Sequence, residues 1–263
     1  MRSSNFKAFR EMRDDDRAAS IAVLVWLFSA VTMGLLLWLN PVPANDTATR
    51  YAPMARAFAD GNWLYAFHPH SGLLFSTLSG CIARGTGLDG FRACQYAALL
   101  LWLLAAPPLY AIVFRLWHDR AVALTAMTLY LLCSHLQRFV YQGVRDNGRS
   151  LGFFLLVLGL LMFFEDRKSR KAAAATAAGA AITAMLRVDG CLFAVLGLAT
   201  FCCFDLRVNG RNCRRSLYCV LLFLLLMSPQ LYLNYRWSGY PVPNSRYALL
   251  LEKIGIPPVG SGL

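Results

Sequence analysis

Apolar positions fall into seven runs separated by short charged segments, and this alternation predicts a bundle of membrane-spanning helices. The first run, 18–39, carries no charge and reaches the about 20 residues that a hydrocarbon core demands. The others are 93–114, 121–136, 151–164, 172–186, 191–204 and 217–233. Pro107-Pro108 should kink the second or break its hydrogen-bond ladder. The shortest runs also fit buried or re-entrant segments. Residues 171–207 are too long for one crossing at about 1.5 Å per residue, so Arg187-Val-Asp-Gly190 reads as a turn between two helices.

The segment 40–92 between the first two runs is predicted to lie outside the bilayer. Two prolines stiffen its start, and beyond Asp46 an amphipathic helix is expected. Ala48, Tyr51, Ala52, Ala55, Phe58 and Ala59 recur at helical spacing, Thr49, Arg50, Arg56 and Asp60 fall elsewhere on the wheel, and Gly61 ends the pattern. Such a helix would lie in the membrane interface and hold Asp46 at headgroup depth. Residues 73–83 form a second candidate interfacial helix. The fold class is therefore all-α, a polytopic membrane protein of about seven transmembrane helices with interfacial helices in the first outer loop. Residues 1–17 form an amino-terminal segment, 18–233 the transmembrane core including outer loop 40–92, and 234–263 an outer-face tail.

Composition agrees: 57% of residues are hydrophobic, only 15% are charged, and the mean hydropathy is +0.47. The net charge of +12 does not point to nucleic acid, because the cations sit in clusters between apolar runs. Segments 1–17, 117–120, 165–171 and 207–215 hold most of the 26 Lys and Arg residues, which puts them and the amino terminus in the cytoplasm. A multi-pass protein of the plasma (inner) membrane follows, with the Asp46 loop facing outward. The apolar run after residue 17 lacks a small-residue cleavage pattern, so it reads as a retained helix. Eight cysteines form no C-x-x-C pair and read as small core residues.

On the outer face, this topology places Asp46 with Arg50, the loop from Arg138 to Arg149, and the Arg187–Asp189 turn. A carboxylate among arginines at headgroup level suits chemistry on a phosphate-linked lipid: the carboxylate takes a proton from an acceptor hydroxyl, and guanidiniums stabilise the departing phosphate. Each feature also has a plainer reading. Asp46 could cap its helix and pair with Arg50. Asp146-Asn-Gly148 is turn chemistry and fits a solvated loop. Arg187 and Asp189 could close a helical hairpin as a local ion pair. His68 and His70 could ligate a metal with Asp46, but spacing shows no third ligand, and interfacial hydrogen bonding is favoured. The Ala-rich stretch 172–184 suits close helix packing.

Four of these stretches together resemble the GT-C superfamily of integral-membrane glycosyltransferases, which includes protein O-mannosyltransferases and aminoarabinose transferases. Asn45-Asp46-Thr-Ala-Thr-Arg-Tyr51 is similar to that family's first outer loop, and His68-Pro-His-Ser-Gly-Leu-Leu74 to its His/Pro-rich stretch. Met185-Leu-Arg-Val-Asp-Gly190 is similar to its turn between two apolar helices, and Asn234-Tyr-Arg-Trp-Ser-Gly-Tyr-Pro-Val-Pro-Asn-Ser245 to its Gly-x-Pro-x-Pro loop. The resemblance covers residues 18–247 and implies inverting transfer of a sugar from a polyprenyl-phosphate donor to an acceptor lipid, glycan or protein. It makes Asp46 the general base. It places Arg50, Tyr51, His68, His70, Arg145, Asp146, Arg187 and Asp189 in the substrate site, with Arg187 on donor phosphate. Some relatives use a divalent cation and others none, and no metal ligand is assigned here. Members usually run longer, so the chain reads as a short or truncated member. Two other classes compete: a transporter or flippase for a lipid-linked anion, disfavoured by the lack of ionisable residues deep in the runs, and an inactive membrane scaffold.

Overall fold

A computed structural model describes residues 2–39, 45–67, 72–187, 189–209, 213–242 and 250–254. Helix α1 (Arg2–Leu39) leads to a π-helical turn (Thr47–Tyr51), α2 (Ala52–Ala59), α3 (Trp63–Ala66) and α4 (Leu73–Thr86). Next come α5 (Gly90–Trp117), α6 (Arg120–Leu132), α7 (Ser134–Tyr141) and α8 (Asp146–Glu165). The order closes with α9 (Arg170–Leu186), α10 (Gly190–Asn209) and α11 (Arg214–Ser238). Among the described residues there is no strand.

Among the described residues, five helices are long and apolar enough to cross a membrane: 17–39 of α1, α5, α8, 190–207 of α10 and 214–236 of α11. The chain is therefore an all-α protein of polytopic membrane character. Two of the seven expected spans fall short. The run 121–136 divides at Cys133, whose extended backbone separates the 13-residue α6 from α7. Helix α9 has 17 residues, and its alanines and threonines lower its apolar content.

Local chemistry sets the helix ends. The Asp89 carboxylate accepts from the backbone N–H groups of Phe91 and Arg92 at 2.9 and 3.0 Å, and Asp119 does the same for Ala121 and Val122 at 2.7 and 3.2 Å. Ser169 caps α9 through Ala172 N–H at 3.3 Å.

Helix α5 continues through Pro107-Pro108, and α11 through Pro229. A proline lacks the N–H that would bond to the carbonyl four residues earlier, so each leaves a carbonyl to satisfy. For Pro107 that carbonyl is Leu103, and the indole N–H of Trp26 on α1 donates to it at 2.8 Å. For Pro229 it is Leu225, which accepts from the Ser228 hydroxyl at 2.8 Å. The first substitution also ties α1 to the bundle.

Helix α5 lies at the centre of one half, packed by α1, α2, α4, α6, α7 and α8. Its spanning window is 61% buried, against 11% for α1, which turns Val23, Leu24, Phe28, Val31 and Leu35 outward as a lipid-facing surface requires. Helix α9 organises the other half between α8, α10 and α11.

The most extensive pairing joins α8 to α9. A Cβ on Gly152 would stand 2.3 Å from Thr183 Oγ1, one on Gly159 2.4 Å from Thr176 Oγ1, and one on Gly179 2.2 Å from the Leu156 nitrogen. Ala173, Ala177, Ala180 and Ala181 are buried beside them. Small residues let the two backbones approach closely, where van der Waals contact supplies the attraction that lipid cannot. The expected role of the Ala-rich stretch is thus observed.

The segment between α1 and α5 differs from a helix lying on lipid. Helix α2 docks on protein: Phe58 fills the space beside Gly80 of α4, and Ala52 lies against Gly90 of α5. Its inner face is Thr47, Tyr51, Met54, Ala55 and Phe58. The π turn admits an extra residue, which rotates the start of the segment so that Thr47 points inward and Ala48 outward. Three cysteines, Cys94, Cys191 and Cys219, are buried as expected, whereas Cys81, Cys203 and Cys213 are exposed.

Candidate functional site

Helices α8 and α9 are antiparallel, so the start of α8 meets the end of α9 at one end of the bundle. Asp146 is the first residue of α8, and Arg187 follows the last residue of α9. The Arg187 guanidinium pairs with Asp146 through Nη1 and with Asp189 through Nε at 2.9 Å. Arg149, one turn along α8 from Asp146, reaches the other oxygen of Asp189 at 2.6 Å. The four side chains alternate in sign and bridge α8 to the α9–α10 turn.

The turn pair is therefore more than a local closure, because Arg187 also reaches Asp146 on another helix. All four side chains are partly exposed, and pairs of this kind contribute about 0.2–1 kcal/mol each. Their consequence is mainly orientation. Burial pulls the Arg187 pKa down, but hydrogen bonding and charge from Asp189 and Asp146 outweigh it, and the net direction is up. Burial pushes Asp189 up, yet the hydrogen bonds and charges of Arg187 and Arg149 hold its carboxyl below the usual value.

The loop before α8 is packed, contrary to a solvated turn. Gly143 and Val144 are buried, as are Asn147 and Gly148 at the start of α8. Thr47 donates its hydroxyl to the carbonyls of Gln142 and Gly143, the second at 3.2 Å. Gln95 Nε2 donates to Tyr141 O at 2.7 Å, and Asn147 Nδ2 to Leu136 O at 3.2 Å. The carbonyls of Tyr141, Gln142 and Gly143, at and just beyond the end of α7, lack helical partners, and the Gln95 and Thr47 side chains supply them. Asp146-Asn-Gly148 consequently begins a helix.

Tyr51 joins the outer loop to this network. Its ring is buried edge-on to Phe75, with centroids 5.2 Å apart. The Arg145 guanidinium carbon stands 5.7 Å from the Tyr51 ring centre, within cation–π range. Burial raises the Tyr51 pKa; Arg145 and Arg50 oppose that, while Asp46 and Asp146 add to it. The phenol thus lies within electrostatic reach of all four groups. Asp46 itself is exposed, and its side chain makes no cap hydrogen bond, so the capping reading fails. Arg50 is likewise exposed.

Gly72 completes the wall. Its φ is +72°, and a Cβ there would stand 2.2 Å from Met185 O and 3.5 Å from Arg145 Nη1. Only glycine allows both the backbone angle and that approach. The next N–H, of Leu73, donates to Gln230 Oε1 of α11 at 2.5 Å. Gly72 itself thus lies against the end of α9. His68 and His70 lie outside the described residues. Among the described residues no group of three His, Cys, Asp or Glu side chains gathers to hold a metal ion.

From this charged end a groove of about 410 Å³ descends between α8 and α10. Arg149 and Asp189 stand at its head, and Phe153, Phe154, Leu192 and Phe193 line its wall. Phe153 and Phe193 meet edge to face at 5.5 Å. In the sequence Arg149 stands only as the end of the Arg138–Arg149 loop; its spacing of one turn from Asp146 is the signal that ties it to this site.

An acidic side chain is buried in protein near the end of a membrane-length helix. Asp205 of α10 is fully buried, because α10 extends beyond residue 204 and carries it inward against α11. Ser216 donates both its N–H and its hydroxyl to this carboxylate, at 3.1 and 2.7 Å. Asp205 lies near the end of α10 away from the Asp146–Arg187 network.

Compared with protein-family models, curated proteins and solved structures, the chain gives no significant match in any of the three.

Proposed function

We propose that the chain is a membrane glycosyltransferase that moves a sugar from a polyprenyl-phosphate donor to an acceptor hydroxyl. The observation that carries this reading is the union of a paired-charge network with an apolar groove. Arg149, oriented by Asp189, sits at the head of a slot lined by Phe153, Phe154, Leu192 and Phe193, and Arg187, held by Asp146, shares that Asp189. A lipid phosphate requires that pairing of chemistries: guanidiniums for the headgroup and an apolar channel for the prenyl chain. Under this reading α9 and the α6–α7 pair complete seven crossings, and the network faces away from the cytoplasm.

The reaction then needs one free carboxylate. Asp146 and Asp189 are engaged by arginines, whereas Asp46 is exposed. Asp46 takes the acceptor proton as the acceptor oxygen bonds to the anomeric carbon. The bond from that carbon to the phosphate oxygen breaks on the opposite face. Its electron pair leaves with the polyprenyl phosphate, whose growing charge the guanidiniums stabilise, and the configuration inverts. Tyr51 and Arg145 form the wall between base and phosphate, and Arg50 flanks Asp46. Donor lipid and acceptor are the partners.

The test uses protein reconstituted in lipid vesicles with labelled polyprenyl-phosphate sugar and membrane acceptors. Asp46→Asn should lower transfer by about 10² to 10⁴-fold while donor binding persists. Undiminished transfer by the variant, or no donor binding by the native chain, would reject the reading.

A further inference from the structure

The opposite end of the bundle carries a second concave site that the proposed transfer does not use. Helix α8 has 20 residues, so this end lies about 30 Å from Asp146. There a cavity of about 470 Å³ is lined by Lys168, Arg170, Arg214, Arg215 and Tyr218. Four cations come from the starts of two helices, α9 and α11, that pack side by side.

Among the described residues the nearby carboxylates already have partners, one of them the cavity's own Arg215. Glu165 pairs with Arg115, and Asp166 accepts from the Lys168 backbone N–H at 2.9 Å. Asp205 lies behind the cavity wall, fully buried and bound to Ser216, with its other oxygen 3.9 Å from Arg215 Nε. That carboxylate holds the start of α11 in place and orients Arg215, whose Nη1 is buried without a hydrogen-bond partner. A donor oriented and left unsatisfied is costly unless an acceptor comes from outside.

We propose that this cavity binds the phosphate of an anionic lipid headgroup. Phosphate suits four converging cations and can accept from several at once. A lipid is favoured over a soluble phosphate by what lies beyond Tyr218. Leu217, Leu221, Leu224 and Leu225 of α11 are exposed and provide the surface along which acyl chains would run. Basic pockets between transmembrane helices recognise lipid phosphates by this combination.

The experiment reconstitutes the full chain in vesicles of equal phosphatidylglycerol and phosphatidylcholine, re-extracts it, and counts retained lipid by native mass spectrometry. Native protein should retain phosphatidylglycerol selectively. Lys168→Gln with Arg170→Gln, both at exposed positions, should weaken that retention about thirty-fold, at about five-fold per cation. Arg84→Gln with Arg92→Gln removes equal charge elsewhere and should leave it intact. Equal retention of both lipids by the native chain, or unchanged retention in the first double variant, would overturn the proposal. So would equal loss in the control pair, which would show only a diffuse charge effect. Displacement by millimolar inorganic phosphate would also overturn the lipid assignment, by giving the cavity to a soluble phosphate compound.

Discussion

The two ends of the bundle treat charge in opposite ways. At one end Arg149, Asp189, Arg187 and Asp146 alternate in sign and hold each other, so the side chains are oriented with little net field. At the other, Lys168, Arg170, Arg214 and Arg215 surround a cavity with the buried Asp205 behind its wall. Paired charges set geometry, and geometry is what a reaction on a headgroup needs. Clustered charge of one sign makes a field, and a field attracts and retains an anion.

This contrast can be broken from either side. The largest effect is expected at Asp205. Asp205→Ala removes two hydrogen bonds at the start of α11 and leaves the largely buried Arg215 without its carboxylate. It should cost about 3 kcal/mol, read as a fall in denaturation midpoint in detergent. A loss below about 1 kcal/mol would mean that the carboxylate does not organise that end.

Next is Arg187→Gln, which strips both Asp146 and Asp189 of a partner. Transfer should fall about 10²-fold, and Arg187→Lys should recover little, since an ammonium cannot span two carboxylates as a planar fork does. Lipid retention at the opposite end should not change. Parallel losses of both would show that the ends are not independent.

The smallest effect concerns acid. Asp189 has its pKa held below the ordinary value near 3.8. Its contribution is present above that value and is lost as pH falls through the lower folded value. A stability profile of native protein against Asp189→Asn should therefore show the two differing at neutral pH and converging only below about pH 4. Convergence already at pH 6 would contradict the pairing.

Much of the architecture was legible from residue pattern. The helices α1, α5, α8, α10 and α11 coincide with apolar runs, although those behind α8 and α10 are among the shortest, and Gly61 and the Arg187–Gly190 interval mark breaks in the helical pattern. What misled was depth and register. Cys133 divides one run into two helices at the polar Ser134-His135 pair, which reads as an interruption on one face until the backbone shows it as a break. The π turn shifts the inner face from Ala48 to Thr47, a rotation that ideal helical periodicity does not contain. Asp205 looked peripheral because hydropathy stops at Phe204, although the helix does not.

The candidate site was legible by residue and not by partner. Asp46, Arg145, Asp146, Arg187 and Asp189 each stand out as charges beside apolar runs. That Arg187 bonds to Asp146, 41 residues away, and that Arg149 joins them, depends on how closely α8 approaches α9.

By itself, then, the sequence determined that the chain is helical and membrane-inserted, and which segments carry charge. An uncharged run of about 20 apolar residues is stable only in hydrocarbon, where its backbone must satisfy itself as a helix. Tertiary structure alone decided which charges compensate one another and which remain clustered. Those outcomes hinge on Gly152, Gly159 and Gly179 bringing two helices into backbone contact, and on Asp205 and Ser216 fixing where a third begins. Packing between distant segments sets such distances, and local pattern carries no record of them.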